Sequence, residues 1–360
     1  MSLIVIALAT LGLLLALTLL RLPIALALLI AGTTGYAWVD GWTRALSTVA
    51  SVPAELIKSY GLSVVPMFVL MGAVAARSGL SSDLYEAAKA MAKRGARGTL
   101  ATATIGACAL FGAICGSSLA TAATMTRIAV PEMRANGYSD QLAAGSVAAG
   151  GTLGILIPPS VILVIYALLA EESVPALFAG ALIPGILLTV FCILVVKYLV
   201  WRHPHWGPPV KRDYAPGERL RIALRTWKVI GVFLLSIGGI YLGWFSPTEA
   251  AAIGAGAVIL VGVADRRIGL PELRDSIRET VITSASLFFV FLCAIVYARF
   301  IALTRLPNEL VDLVQAWALP APVVVAIIVL VYLLLGCILE TVSMVLITVP
   351  VFLPLMISLG

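Results

Sequence analysis

Apolar stretches of roughly 18–25 residues with few charges recur from one end of the chain to the other, which is the pattern of membrane-spanning helices. It predicts spans at residues 3–20, 22–39, 61–78, 141–170, 175–200, 228–245, 248–264 and 281–303. Segments 43–59, 80–97 and 305–318 instead mix apolar and charged positions at helical spacing, as interfacial helices do. In the last, Leu306, Leu310, Val311 and Val314 oppose Asn308, Glu309, Asp312 and Gln315. Two further apolar segments, 98–133 and 320–356, are broken midway by small or polar residues. The first reads FGAICGSSLATAATM and the second LLLGCILETVSM. Each is readable as one irregular span or as two half-length helices that enter and return on one side. A returning turn has unpaired backbone groups, so it must be buried in protein or face a watery cavity.

Composition agrees: 61% of residues are hydrophobic and 12% charged, where soluble domains sit near half and a quarter. Residues 2–20 lack the basic leader and small-residue cleavage site of a signal peptide. With Arg21 and Pro23 after them, they read as the first of two retained spans. The formal net charge of +6 marks cytoplasmic loops here, not a nucleic-acid partner. With Met1 outside, the inside loops carry Arg21, Arg77, Lys89, Lys93, Arg94, Arg97, Arg134, the basic residues of 202–228, and Arg266, Arg267, Arg274 and Arg278. The outside holds Arg44, Lys58, Arg299 and Arg305. That asymmetry survives only if both broken segments return on the side they enter, so the charge pattern supports two hairpins independently. Cys108, Cys115, Cys192, Cys293 and Cys337 lie in apolar segments without a C-x-x-C pair, which predicts packing roles, with no disulfide and no metal site.

The chain reads as an all-α polytopic membrane protein built from inverted repeats. Residues 1–60 form N-terminal scaffold helices and an interfacial helix. Residues 61–200 hold a first repeat, with a re-entrant hairpin at 98–133 and a broken helix at 141–170. Residues 201–228 form a cytoplasmic loop carrying His203 and His205, two ligands too few for a metal site. Residues 229–360 hold a second, incomplete repeat with the start of a second hairpin at 320–356. The halves echo each other: MFVLMGAVAARSGL (67–80) is similar to FFVFLCAIVYARFIAL (288–303), and each is followed by an amphipathic and then a broken segment. Gly116 precedes Pro131 by nearly the spacing that separates Gly336 from Pro350. Inverted repeats with broken helices are a design of secondary transporters.

Chemistry concentrates at the breaks. In GAICGSSLATAAT, 112–124, the small residues suit close helix packing, or a hairpin tip. In Gly150–Ser160, GGTLGILIPPS, Pro158 and Pro159 lack N–H groups, and Pro159 drives Pro158 out of helical geometry. The resulting unwound turn frees carbonyls for a hard cation such as sodium, and the next half-helix presents N–H groups to an anion. The candidate substrate and ion ligands are therefore Gly116, Ser117, Ser118, Thr121, Gly151, Thr152, Gly154, Pro158, Pro159 and Ser160, with sodium at Ser117, Ser118 and the Gly151–Pro159 turn. Gly336, Glu340 and Thr341 are the corresponding candidates in the second half, because an intramembrane carboxylate is a functional candidate by default. Glu249 suits the first turn of a helix beginning near Pro247 equally well. There is no phosphate-cradling Gly-x-x-x-x-Gly-Lys, and no Ser–His pair, since both histidines lie in one loop, so no ATPase and no enzyme constellation is expected.

FGAICGSSLATAATM, VPEM, NGY, GGTLGILIPPS and SPTEAAA occur in that order. Together they resemble the large membrane subunit of tripartite ATP-independent periplasmic (TRAP) transporters across essentially the whole chain. The resemblance implies an elevator-type permease of the bacterial inner membrane, with sodium as coupling ion and no covalent cofactor. It implies two protein partners, a small membrane subunit and a periplasmic substrate-binding protein, and a small organic acid as substrate: a dicarboxylate, sialic acid or similar. It carries ion and substrate roles to Gly116, Ser117 and Ser118 and to Gly151, Thr152, Gly154, Pro158 and Pro159. The chain stops at Gly360, before the second broken helix that the resemblance leads one to expect. A stand-alone organic-anion carrier of related fold, and a membrane enzyme or assembly protein, are the alternatives.

Overall fold

The computed structural model describes residues 3–91, 95–209, 216–337 and 339–359. Lys93, Arg94, Lys211 and Arg212, counted above among the inside charges, lie outside them. The helices run α1 (Leu3–Leu19), α2 (Ile24–Asp40), α3 (Trp42–Lys58), α4 (Val64–Arg77), α5 (Leu80–Met91), α6 (Thr99–Cys115), α7 (Ser118–Ala135), α8 (Asp140–Leu156), α9 (Val161–Ala170) and α10 (Val174–Arg202). They continue as α11 (Pro216–Arg225), α12 (Trp227–Phe233), a π-helical turn at Leu234–Gly238 and α13 (Gly239–Tyr241). Then come α14 (Pro247–Ala264), α15 (Leu270–Thr304), α16 (Leu306–Ala316), α17 (Ala321–Gly336) and α18 (Thr341–Ser358). Among the described residues there is no strand, and six helical stretches are long and apolar enough to cross a membrane.

Helix ends follow the sequence signals. Gly116, at φ +63°, stops α6, and Ser117 opens α7. Ser246 and Glu249 form a reciprocal capping box at the start of α14, with Pro247 beside it, so Glu249 is a helix-start residue. One boundary differs from expectation: α15 begins at Leu270, not near 281. Its charged first turns are helical, with the hydroxyls of Ser276 and Thr280 on a buried face satisfied by the helix's own carbonyls. Ser276 donates to the Glu272 carbonyl and Thr280 to the Ser276 carbonyl, each at 2.8 Å.

The described residues fall into two compact units that interleave along the chain. The first comprises residues 1–62, 165–172 and 284–360. There α2 lies close against α15: a methyl on Gly32 would sit 2.9 Å from the Tyr297 Cα. Arg299 of α15 pairs with Glu55 of α3, and α17 and α18 close around Val324, Ile328 and Leu355.

The second unit comprises residues 63–164 and 173–283. Its α4 packs on α14 and α6, while α8 packs on α6, α7 and α10. The loop after α10 ties the base of the α6–α7 pair, since the Gly98 N–H donates to the Gly207 carbonyl at 2.9 Å and the Ser139 N–H to the Trp206 carbonyl at 3.0 Å. In that loop the His203 ring stacks on Trp206 at 4.5 Å. Salt bridges fasten the unit's polar end. Lys89 meets Glu86 and Glu132, each at 2.6 Å, Arg77 meets Glu279 at 2.6 Å, and Arg267 meets Asp83 at 2.7 Å.

The Lys and Arg asymmetry gives a direct test of orientation. A cysteine at Gly217 is expected to resist a membrane-impermeant thiol reagent in intact cells, and one at Ser173 to react; both positions are exposed. Reversed labelling would overturn the orientation and the returning hairpins with it.

Candidate functional site

The first broken segment folds as a helical hairpin. At its tip the Gly116 N–H donates to the Gly112 carbonyl at 2.8 Å, and the left-handed Gly116 turns the chain. Ser117 is extended, and its hydroxyl accepts from the Ala120 N–H at 3.4 Å, capping α7. Against this hairpin lies α8, at distances that only small residues allow. A methyl on Gly112 would lie 2.6 Å from the Gly154 Cα. One on Gly154 would meet the Thr121 hydroxyl at 3.1 Å and the Ser117 carbonyl at 3.2 Å. One on Gly151 would meet the Ala122 Cβ at 2.8 Å and the Ser118 carbonyl at 3.3 Å. The small-residue run is thus both a packing seam and a hairpin tip.

The break in the next helix falls where the two prolines place it. The last bond of α8 runs from the Ile157 N–H to the Leu153 carbonyl, at 2.9 Å, and α9 restarts at Val161. Ser160 is buried, and its hydroxyl accepts from the Leu163 N–H at 3.4 Å. Tip and break touch: the Val161 N–H donates to the Gly116 carbonyl at 3.4 Å, and a methyl on Gly116 would come 2.9 Å from the Pro159 carbonyl oxygen. Two helix N-termini, each with a serine cap, therefore meet at one place.

The chemistry of this place is set by what is left unpaired. Among the described residues no N–H donates to the carbonyls of Ile157, Pro158 or Pro159, and all three residues are buried. The Thr121 hydroxyl is buried without a partner. Buried polar groups are ordinarily paired, so these oxygens are ready acceptors for a hard cation, whose preferred ligands are oxygens. Among the described residues no carboxylate, histidine, lysine or arginine belongs to the cluster, and the buried Cys115 thiol adjoins it. The converging N-termini add positive dipole ends that suit an anion.

Of the sequence candidates, the structure brings together Gly116, Ser117, Ser118, Thr121, Gly151, Gly154, Pro158, Pro159 and Ser160. Thr152 differs: it is exposed, and its hydroxyl donates to the Ala149 carbonyl at 2.7 Å, so it sits on the helix surface while Gly151 and Gly154 form the seam. Gly336, Glu340 and Thr341 belong to the other unit, at the turn between α17 and α18. That turn is longer than the first. Glu340 opens α18 exposed, with no side-chain capping bond, and Ile338 lies outside the described residues. Pro131 sits in the fourth turn of α7 and Pro350 in the third turn of α18, so the similar Gly-to-Pro spacings arise from unequal turns. Gly112 belongs to the 112–124 run read for close packing, and it supplies the close approach to Gly154. Sequence reasoning missed a 2.7 Å bond between the Tyr332 and Thr348 hydroxyls in the second hairpin, for which no local pattern existed.

Residues 11–360 match the family described as "Tripartite ATP-independent periplasmic transporter, DctM component". The C4-dicarboxylate TRAP transporter large permease protein DctM of Pseudomonas aeruginosa is 35% identical over 85% of this chain and 71% of its own length. The sialic acid TRAP transporter large permease protein SiaM of Vibrio cholerae is 31% identical over 84% of this chain and 70% of its own. In three dimensions the Alcanivorax borkumensis YdaH transporter shares the fold, with a TM-score of 0.63 at 16% identity, over 89% of this chain and 74% of that one. The family match and the apolar helices, with the hairpin tip set against the broken helix, lead to one assignment: the chain belongs to the DctM component family and is a TRAP-type large permease, a multi-pass protein of the bacterial inner membrane and not an enzyme.

Proposed function

We propose that this permease carries small organic acids inward on a sodium gradient, by an elevator-type movement. We propose as its partners a small membrane subunit and a periplasmic protein that delivers the substrate. One observation carries the reading: the unpaired carbonyls of Ile157, Pro158 and Pro159 beside the hairpin tip, where two helix N-termini meet. The oxygens suit a small hard cation, and the dipole ends suit a carboxylate. Relatives named for C4-dicarboxylate and sialic acid support an acidic substrate. The residues that would hold sodium are the 157–159 carbonyls, Ser118 and Thr121.

Ser118 supplies the cleaner test. Its hydroxyl has no hydrogen bond among the described residues, whereas Ser117→Ala also removes a helix cap. In proteoliposomes holding the complete transporter, Ser118→Ala is expected to raise the sodium concentration for half-maximal uptake about fivefold, the loss of about 1 kcal/mol. Uptake that ignores the sodium gradient in the unaltered protein, and responds only to internal ATP, would exclude sodium coupling. Unchanged sodium dependence in Ser118→Ala would remove Ser118 from the site and leave the 157–159 carbonyls and Thr121 as its ligands.

A further inference from the structure

The first turns of α15 carry a feature that lies outside the proposed ion and substrate site. Leu270, Arg274, Ile277, Arg278 and Val281 recur at helical spacing and so share one face. That face is open: Leu270 is 84% exposed, Ile277 48% and Val281 61%, and both arginines are exposed. A cleft of about 600 Å³ lies there, lined by Leu270, Pro271, Arg274, Asp275 and Arg278.

The neighbouring charges are committed elsewhere. Glu279 pairs with Arg77 at 2.6 Å, and Asp83 with Arg267 at 2.7 Å. Asp265 pairs with Lys228, and Glu272 accepts from the Gly269 N–H at 2.8 Å. Among the described residues neither Arg274 nor Arg278 has an ion-pair partner. Two free guanidiniums and one carboxylate, Asp275, therefore share a cleft whose helix continues into an apolar stretch.

We propose that this cleft binds the headgroup of an anionic glycerophospholipid from the cytoplasmic leaflet. Arg274 and Arg278 hold the phosphodiester, and the guanidinium geometry matches phosphate oxygens. Asp275 accepts from a headgroup hydroxyl. Ile277 and Val281, on the membrane side of the two arginines, lie along the acyl chain. Charge complementarity supports this occupant, because two cations balance one phosphodiester and the Asp275 carboxylate. The Lys and Arg asymmetry assigns this end of α15 to the cytoplasmic side, where anionic lipids attract basic segments.

The test uses the full chain in detergent, titrated with phosphatidylglycerol or phosphatidylcholine and observed by native mass spectrometry. The protein is expected to retain phosphatidylglycerol over phosphatidylcholine. R274Q/R278Q should bind it about twenty-five-fold more weakly, at roughly fivefold per basic side chain. R274K/R278K, which keeps both charges but loses the planar guanidinium fork, should bind more tightly than R274Q/R278Q and less tightly than the unaltered chain, and R278Q alone should show a loss of about fivefold. Equal retention of the two lipids, or undiminished retention by R274Q/R278Q with an unchanged melting profile, overturns the proposal. So does displacement of the lipid by millimolar inorganic phosphate, which identifies a soluble-anion site. Loss of the small membrane subunit from R274Q/R278Q with lipid retention intact assigns the face to that subunit instead.

Discussion

Gly116→Val is expected to reduce uptake by the assembled transporter at least a hundredfold at normal membrane levels. Two independent penalties coincide at this residue. The backbone sits at φ +63°, where a residue other than glycine loses about 1–2 kcal/mol, and a β-branched residue is a steric outlier. The added carbon also points at the Pro159 carbonyl oxygen, 2.9 Å away. That atom is backbone in a rigid proline turn and cannot swing aside as a side-chain end can, so overpacking adds about 1–3 kcal/mol. The chain can relieve the clash only by parting the hairpin tip from the broken helix, which disperses the acceptor cluster. Gly106→Ala is the matched control, because nothing lies within 4 Å of its added carbon; it should transport normally. Measuring both variants in the same proteoliposomes decides the matter: if Gly116→Val transports like Gly106→Ala, the tip does not shape the site.

The second large effect concerns Lys89. Its side chain is 5% exposed and bridges Glu86 and Glu132, tying α5 to the far arm of the hairpin. Breaking a buried pair by removing one partner costs about 3–5 kcal/mol. Both carboxylates here keep some access to water, so Lys89→Met is expected to lose about 2–3 kcal/mol, below that range. The double variant Lys89→Met/Glu132→Gln should be more stable than the single one, because no charge is left stranded. A double variant as unstable as the single one would make Lys89 a packing residue only.

The same lysine makes stability depend on pH. Burial draws its pKa down, but hydrogen bonds and charge from Glu132 and Glu86 outweigh this and hold it above the usual value of 10.5. A raised pKa stabilises the fold below the unfolded value, and that contribution disappears as pH climbs through the folded one. Stability should therefore fall above about pH 10.5. Burial likewise raises the Tyr85 pKa, aided by Glu132, and this acts in the same direction. Lys89→Met should therefore show a shallower alkaline loss than the unaltered chain, and an identical loss would remove Lys89 as its source.

Much of this was legible in the sequence because the strongest signals were local. Two adjacent prolines at 158 and 159 interrupt a helix, and GAICGSS together with the charge asymmetry marked a candidate turn, so both segments of the site could be singled out before any contact was known. Their meeting could not be, because the bond from Val161 to Gly116 joins segments separated by two helices. The start of α15 was misplaced because charge was read as loop, although Ser276 and Thr280 offered a buried face at helical spacing. Thr152 was grouped with its glycine neighbours by adjacency, yet a helix turns 100° per residue and carries it to another face. The two compact units interleave along the chain, so a reading in contiguous stretches had no means of finding them.

The tie at the base of the first hairpin bears on the order of biosynthesis. Gly98 and Ser139 bracket α6 and α7, yet their backbone partners, Gly207 and Trp206, are made only after α8, α9 and α10. While the ribosome is still translating those helices, the base is joined by the Leu100 N–H bond to the Tyr138 hydroxyl, and Lys89 of α5 holds the far arm through Glu132. The backbone ties are added when the loop after α10 emerges.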